Sequence, residues 1–226
     1  MRKSIIIVLC ISVSALLGQA AFGESREYRK TVGDVEYTVM CEITRRAGGY
    51  SIHIEELRNG RVVITEELDV DNGFSTESWS IVDRSKDLEV TAVRDGKVLH
   101  LTYTEDNRRR KKTSRIDGDP WYQLFALSFE KFAASGREET TFWSVNPDEV
   151  RPYEFSLTRQ DEQRMSAAGS SVRCAHFRIA LTGFLAAFWH ADSWHGTDDG
   201  LFVRYEGVNG RPGAPMTTVQ LADVQR

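Results

Sequence analysis

The chain has 226 residues, of which 41% are hydrophobic and 27% are charged, and its formal net charge at pH 7 is −4. This composition is typical of a soluble globular protein and excludes collagen, a long coiled coil and extended disorder. The acidic balance also argues against a general nucleic-acid binder, which would need a basic surface.

The first 23 residues have the three-part order of a secretory signal peptide. Arg2 and Lys3 form a positive start, residues 5–17 form an apolar run, and Ala21 and Gly23 are the small residues of a cleavage site. The run is shorter than the roughly 20 residues of a transmembrane helix, and an uncleaved anchor is the alternative. We therefore predict a bacterial signal peptide over 1–23, a periplasmic or secreted protein, and a net charge of −6 once Arg2 and Lys3 are removed.

Alternating apolar and polar residues dominate the next part of the chain, as expected for half-buried strands. Asn59-Gly60 separates the alternating run at 50–54 from another at 62–68. An Asn-Gly pair between two such runs predicts a hairpin with a type I′ turn, because both residues tolerate a positive φ. Asp95-Gly96 predicts a second hairpin, so the first half is expected to be an antiparallel meander.

One amphipathic helix is predicted near residues 120–134, where the apolar residues fall near helical spacing. Asp119 is the expected N-cap, Pro120 suits the first helical position, and Gly136 ends the segment. This is the main interruption of the strand pattern.

The strand pattern then resumes over residues 139–145, 153–159, 172–181, 201–207 and 217–221. Residues 185–194 are compatible with a short helix or an irregular aromatic loop, and residues 193–196 are interpreted as a loop. No linker divides the chain, so residues 24–226 are expected to form a single β-rich domain. The predicted fold class is mainly β, a curved antiparallel meander that forms a half-barrel or barrel, because open sheet edges invite aggregation.

Two cysteines, Cys41 and Cys174, remain after the leader. An oxidising compartment would permit a disulfide between them. Cys41 alternates with apolar residues on its strand, whereas Cys174 shares a face with His176 and Arg178. Two separate thiols are therefore favoured over a disulfide.

Two arrangements suggest chemistry, and both have simpler interpretations. Cys174 and His176 would point the same way on a strand, as in a thiol nucleophile with a base, but a polar groove lining explains them as well. His190, Asp192 and His195 could supply metal ligands, but no distant ligand pair completes a shell, and a loop with two histidines explains the spacing. These residues support an alternative hypothesis of a hydrolase.

A basic run is the strongest local charge in the chain, and both faces of a strand would carry it. It is therefore expected to be exposed, at a hairpin tip or on an edge strand, where basic residues also block edge pairing. A functional interpretation is contact with anionic headgroups or an acidic partner. The run consists of Arg108, Arg109, Arg110, Lys111 and Lys112.

The second half of the chain is rich in aromatic residues. A β half-barrel with one aromatic face could hold an apolar ligand between sheet and helix, although the same rings could simply fill the core. The candidate ligand-binding residues are Trp121, Phe125, Trp143, His176, Arg178, Phe188, Trp189, Trp194 and Tyr205.

The order of these features resembles a known family. A leader and a β meander are followed by Asp119-Pro120-Trp121-Tyr122, by Phe142-Trp143 and by the segments 183–185, 188–189, 199–207 and 210–215. The pattern is similar to uncharacterised exported bacterial proteins built as an extended β half-barrel, a domain-of-unknown-function family whose shape is similar to periplasmic lipoprotein carriers. The resemblance implies this fold and a cell-envelope setting, and it implies no catalytic residue.

The leading hypothesis is an exported, non-catalytic envelope protein that binds an apolar or amphipathic, lipid-like ligand or a partner protein. It needs no cofactor, no metal and no nucleic acid, and it allows peripheral contact with a membrane. The alternatives are the hydrolase described above and a scaffold in an envelope complex.

Overall fold

A computed structural model describes residues 23–105, 108–183, 189–208 and 214–225. These residues form fourteen strands and one helix. The strands are β1 Gly23–Val32, β2 Val35–Arg46, β3 Gly49–Arg58, β4 Arg61–Asp71, β5 Thr76–Asp83, β6 Leu88–Asp95, β7 Val98–Glu105, β8 Arg108–Arg115, β9 Glu139–Asn146, β10 Arg151–Ala167, β11 Ser170–Leu181, β12 His190–Gly196, β13 Phe202–Val208 and β14 Met216–Gln225. The helix, α1, spans Phe125–Ala134 between β8 and β9. Within the described residues, no helix is long and apolar enough to cross a membrane.

All strands belong to one sheet, and each pairs with its neighbours in antiparallel fashion. Strands β1 to β8 form one meander and β9 to β14 form another, and the pairing of β1 with β14 joins the two. The sheet is not closed, because β8 and β9 are its two edges. The predicted mainly-β, curved half-barrel with a single helix is therefore confirmed.

The turns follow the predicted chemistry. Asn59 and Gly60 have φ values of 51° and 72°, as a type I′ hairpin turn requires. Gly96 also adopts a positive φ, of 57°, between β6 and β7. These residues fix the register of the strands that they connect.

The start of the helix differs from the prediction. Helix α1 begins at Phe125, its N-cap residue is Leu124, and no side chain caps it, so the predicted cap at Asp119 is wrong. Pro120 and Tyr122 instead lie in an extended segment whose backbone bonds to Trp143 of β9: Trp143 N–H donates to the Pro120 carbonyl and Tyr122 N–H to the Trp143 carbonyl, both at 2.8 Å.

The same extended segment also contacts the other half of the sheet, because Thr76 N–H at the start of β5 donates to the Trp121 carbonyl at 2.7 Å. Strands β5 and β9 lie far apart in the sheet order. A short segment that bonds to both shows how strongly the sheet curls. At the far end of α1, Gly136 has a φ of 70° and ends the helical segment as predicted.

The loop predicted over residues 193–196 is wrong, because these residues belong to β12. Along this strand Ala191, Ser193 and His195 are buried, and His190 is exposed. The inner positions are occupied by a small residue, a hydroxyl and an imidazole, so this strand lacks the alternation of large apolar side chains that predicts a strand from sequence.

The core lies on the concave face of the sheet, with α1 inside it. Leu127, Phe129 and Phe132 of the helix pack in one cluster with inward-facing residues of both halves of the sheet. A small second cluster, which includes Cys174 and Trp194, lies on the outer face. Cys41 belongs to the inner cluster, so the two cysteines are on opposite faces and both thiols are free, as favoured from the sequence.

Candidate functional site

Six aromatic rings meet at the N-terminal end of α1, and two of them, Phe125 and Trp189, are predicted ligand-binding residues. We call this group the aromatic cluster. The centroid of Phe125 lies 5.4 Å from Phe142 and 6.1 Å from Phe155. Phe155 in turn lies 5.3 Å from Trp189. The cluster consists of Tyr122, Phe125, Phe129, Phe142, Phe155 and Trp189.

The cluster is built from four parts of the chain. Tyr122 comes from the extended segment, Phe125 and Phe129 from α1, and the others from β9, β10 and the residue before β12. Phe129 and Phe142 are completely buried, but the remaining four rings are only half-buried. Edge-to-face and stacked contacts hold the rings in place, and the four half-buried residues keep part of their surface accessible.

The indole nitrogen of Trp189 donates to the Val208 carbonyl at 2.7 Å. This bond satisfies the polar atom of the Trp189 ring, so the rest of that ring presents apolar surface. Phe188, also predicted to bind ligand, lies outside the described residues.

Three other predicted residues lie inside the fold or at its edge. Trp121 is fully buried and donates its indole N–H to Gln123. Trp143 is half-buried and donates to Asp117 at 2.7 Å, a hydrogen bond that lowers the pKa of that carboxyl. Tyr205 is buried, and burial raises the pKa of its hydroxyl. A role of these residues in binding stays a prediction.

The remaining three predicted residues, His176, Arg178 and Trp194, lie on the outer face of β11 and β12, away from the aromatic cluster. His176 Nδ1 is 2.7 Å from Asp161, and its Nε2 is 2.8 Å from Asp192. Arg178 Nε is 3.3 Å from the same Asp192 oxygen, and the Trp194 ring stacks on His176 at 4.9 Å. The structure therefore divides the predicted set between two faces.

We call His176, Arg178, Trp194, Asp161 and Asp192 the outer cluster. It does not activate Cys174 as the thiol nucleophile of the hydrolase hypothesis. Both ring nitrogens of His176 are engaged by carboxylates, so neither is available to take a proton from Cys174. The Cys174 thiol is buried and faces the Val172 carbonyl at 3.7 Å. Burial raises the pKa of Cys174 to about 11, which keeps the thiol protonated near neutral pH.

The metal set of the alternative hydrolase hypothesis does not assemble either, because its members point to opposite faces of β12. His195 is fully buried on the inner face, 2.9 Å from the Ser193 hydroxyl and 3.0 Å from the Gly200 carbonyl. Burial lowers the pKa of His195 to about 4, so the ring is neutral. His190 is exposed, and Asp192 contacts the outer cluster.

A different acidic group, Asp117, Asp119 and Glu154, has carboxylate oxygens within 4.8 Å of one another. Each of these residues already accepts a hydrogen bond: Asp117 from Trp143, Asp119 from the Thr141 hydroxyl, and Glu154 from the Thr182 hydroxyl. Internal hydrogen bonds therefore account for the group.

Charged residues on the concave face were missed by the sequence analysis. Lys30 of β1 binds both carboxylate oxygens of Glu56, at 2.6 and 2.7 Å. Glu66 of β4 accepts the indole N–H of Trp79 at 2.7 Å. Glu66 is half-buried on the concave face. Desolvation of its carboxylate, together with the negative charge of the nearby Glu56, raises the pKa of Glu66 to about 7.

A second buried ion pair joins the sheet to the helix. Both terminal nitrogens of Arg26 bond to the carboxylate of Glu130, which also accepts the Phe202 N–H at 3.1 Å. The inward position of Glu56 and Glu66, by contrast, could be predicted from the sequence. Glu56 continues the apolar alternation of 50–54, and Glu66 precedes Leu68 by two residues. Each glutamate therefore occupies an inward position.

The basic run forms β8, an edge strand whose side chains are almost all exposed, as predicted. Arg110 is 3.8 Å from Glu105, and Lys112 donates to the Val150 carbonyl at 3.1 Å. Contact of this strand with anionic headgroups stays a prediction.

The chain matches no family model and no curated protein. Among solved structures it is similar to a β-barrel-like protein of domain of unknown function DUF1849 from Brucella abortus, with a TM-score of 0.61 and 11% identity over 90% of this chain and 97% of that one. This likeness confirms the predicted resemblance to an uncharacterised β half-barrel family at the level of the fold.

Two further solved structures are similar over most of their length. One is the hypothetical lipoprotein YmcC from Escherichia coli, with a TM-score of 0.37 and 13% identity over 87% of this chain and 85% of that one. The other is a domain named for outer membrane lipoprotein sorting from Vibrio parahaemolyticus, with a TM-score of 0.31 and 8% identity over 90% and 84% of the two chains.

Proposed function

We propose that this protein is exported to the bacterial cell envelope and there binds an apolar or amphipathic, lipid-like ligand without catalysing a reaction on it. The observation that carries the proposal is the aromatic cluster, in which four contacting rings keep accessible surface inside a sheet that does not close. The hydrolase hypothesis finds no such support, because neither of its residue sets assembles.

The chemistry of the cluster favours an aliphatic chain as the bound part of the ligand. Apolar pockets bind by removing ligand surface from water, at about 25 cal/mol for each Å². Phe125, Phe155 and Trp189 present ring surface, and the indole N–H of Trp189 is already bonded to the Val208 carbonyl. A charged headgroup would therefore remain outside the cluster, as expected for an amphipathic ligand.

Extraction of the purified protein with organic solvent, followed by mass spectrometry, tests whether a lipid accompanies it. We expect a co-purifying lipid, and we expect dansyl-labelled undecanoic acid to bind with enhanced fluorescence. Repeated absence of lipid together with no binding of the probe would refute the proposal.

Variants locate the site. Phe125→Ala or Phe155→Ala should weaken probe binding by about tenfold, because each removes roughly 1.5 kcal/mol or more of apolar contact. The matched control is Tyr103→Ala, since Tyr103 is also a half-buried aromatic residue packed on the core but lies on β7. An equal loss of binding in all three variants would place the ligand elsewhere.

Export is tested separately. We expect the protein from the periplasmic or secreted fraction to begin at Glu24, as read by N-terminal sequencing. A full-length chain held in the membrane fraction would instead support an uncleaved anchor.

A further inference from the structure

Strand β8 is a sheet edge whose backbone has a free side. It pairs with β7 along its full length, from Arg108 opposite Glu105 to Arg115 opposite Val98. Within the described ranges, its backbone makes hydrogen bonds to β7 alone. In such an antiparallel pair, alternate residues of the edge strand direct N–H and C=O groups away from the sheet, where another strand could pair with them.

The basic side chains of β8 are distributed over both faces of the sheet. Arg110 and Lys112 pair with Tyr103 and Leu101, which face the core, so they lie on the concave side with Arg108. Arg109 and Lys111 therefore lie on the outer side. Five consecutive cations thus flank the free backbone edge above and below, in a chain whose net charge is −4.

These charges have few anionic partners within the protein. Among the described residues, Arg110 forms the one ion pair of the run, at 3.8 Å from Glu105, and all five residues are exposed. Basic side chains on an edge strand keep it from pairing with another edge. A run of five exposed cations with a single intramolecular ion pair also attracts an anionic partner at short range.

The distribution of the charges indicates the shape of that partner. A flat lipid surface meets one side of a strand at a time, whereas a second strand paired with β8 carries side chains on both sides. Cross-strand neighbours then lie about 5 Å apart, so acidic residues at successive positions of the added strand would each meet a cation of β8.

We propose that β8 binds an extended acidic segment of a partner protein by strand addition. The backbone edge provides the hydrogen bonds, and the five cations select a segment with acidic residues at consecutive positions. This interaction goes beyond the proposed ligand binding and does not depend on it, since none of the six residues of the aromatic cluster lies on β8.

The direct test uses a synthetic peptide of about eight residues with consecutive glutamates, flanked by threonine and valine. The control peptide has the same sequence with alternate backbone nitrogens methylated, which removes the strand hydrogen bonds and keeps the charge. We expect the first peptide to bind and to slow hydrogen exchange at alternate amides between residues 108 and 115. The methylated peptide should bind at least about tenfold more weakly.

A pair of charge-reversed proteins separates this edge from charge in general. Arg109→Glu with Lys111→Glu should reduce peptide affinity by about tenfold or more, because both substitutions place like charges opposite the peptide. The matched control is Arg29→Glu with Arg45→Glu, since both arginines are exposed and lie on β1 and β2. This control changes the net charge equally and should bind the peptide as the native protein does.

Several results would overturn the proposal. Equal binding of the methylated peptide would show attraction by charge without strand pairing. Binding to phosphatidylglycerol vesicles with no binding of the peptide would assign the run to a membrane surface. Self-association that is lost in the Arg109→Glu, Lys111→Glu protein would show that the edge binds a second copy of this chain. If no probe binds, the basic run serves only to prevent pairing with other sheet edges.

Discussion

Replacement of Glu66 by glutamine should change the pH dependence of folding stability. Glu66 binds its proton more tightly in the folded protein than in the unfolded chain, because burial raises its pKa from 4.5 to about 7. Its contribution to stability is therefore fully present below about pH 4.5 and is lost as the pH rises through about 7. Glutamine stays neutral throughout and can still accept the hydrogen bond of Trp79.

The expected magnitude follows from the pKa difference. At a pH well above 7, the native carboxyl costs up to about 3 kcal/mol of unfolding free energy relative to a neutral group. The accessible part of the side chain reduces this to about 2 kcal/mol, because solvent screens the carboxylate. The Glu66→Gln protein should thus be more stable than the native protein by about 2 kcal/mol at about pH 8 and nearly equal to it at about pH 4.

Urea unfolding followed by circular dichroism at the two pH values measures this difference. The control is Glu89→Gln, because Glu89 lies exposed on the outer face of β6 and should give the same small change at both pH values. A Glu66→Gln effect that does not depend on pH, or destabilisation at the higher pH, would refute the reasoning that this carboxyl is desolvated.

Three further predictions concern the core. Glu130→Gln should lower the unfolding free energy by about 2 kcal/mol in urea titration, because it leaves the buried Arg26 guanidinium with Glu24 as its one remaining carboxylate partner; a loss below about 1 kcal/mol would contradict this. Native Cys41 and Cys174 should alkylate at least about 100-fold more slowly than in the unfolded chain, since burial raises their pKa values to about 12 and about 11; rapid labelling of either would be inconsistent with its burial. Gly200→Ala should destabilise more than Gly48→Ala in thermal unfolding, because both adopt positive φ but a Cβ at 200 would lie 2.3 Å from a helix carbonyl; equal losses would show that the helix yields there.

The sequence predicted the architecture well where local chemistry determines it. Asn59-Gly60 has one favourable conformation between two alternating runs, and the turn forms there. The five consecutive cations of β8 allow no buried face, so an exposed edge was the consistent interpretation. The face of Cys174 also followed from alternation with the apolar Ala175 and Phe177.

The sequence failed where tertiary contacts override local preference. Asp119 and Pro120 form a good helix start, but hydrogen bonds to β9 keep this segment extended and delay the helix to Phe125. Ser193 and His195 form an inward face because their polar atoms are satisfied by a hydrogen bond between them and by the Gly200 carbonyl, which only the tertiary structure provides.

The candidate site was predicted only in part, for a related reason. Phe125 and Trp189 were correctly singled out as aromatic residues, but their contact with Phe142 and Phe155 depends on the pairing of β9 with β10 and on the position of α1. His176 and Trp194 were placed with them because aromatic content alone does not reveal the face of a strand. Because successive residues of a strand point to opposite faces of the sheet, the register shows that the aromatic cluster and His176 with Trp194 lie on different faces.

The pairing of β1 with β14 has a consequence for the timing of folding. Ser25 lies opposite Gln225, so the strand ladder that unites the two meanders joins segments at opposite ends of the domain. Non-local pairs of this kind form slowly, and during synthesis the second partner is the last to be made. Each meander can form its own hairpins early, but the continuous sheet forms only after β14 has been synthesised and has paired with β1. Under the export proposed above, this delay would favour translocation, because the chain would pass the export channel before its sheet is complete.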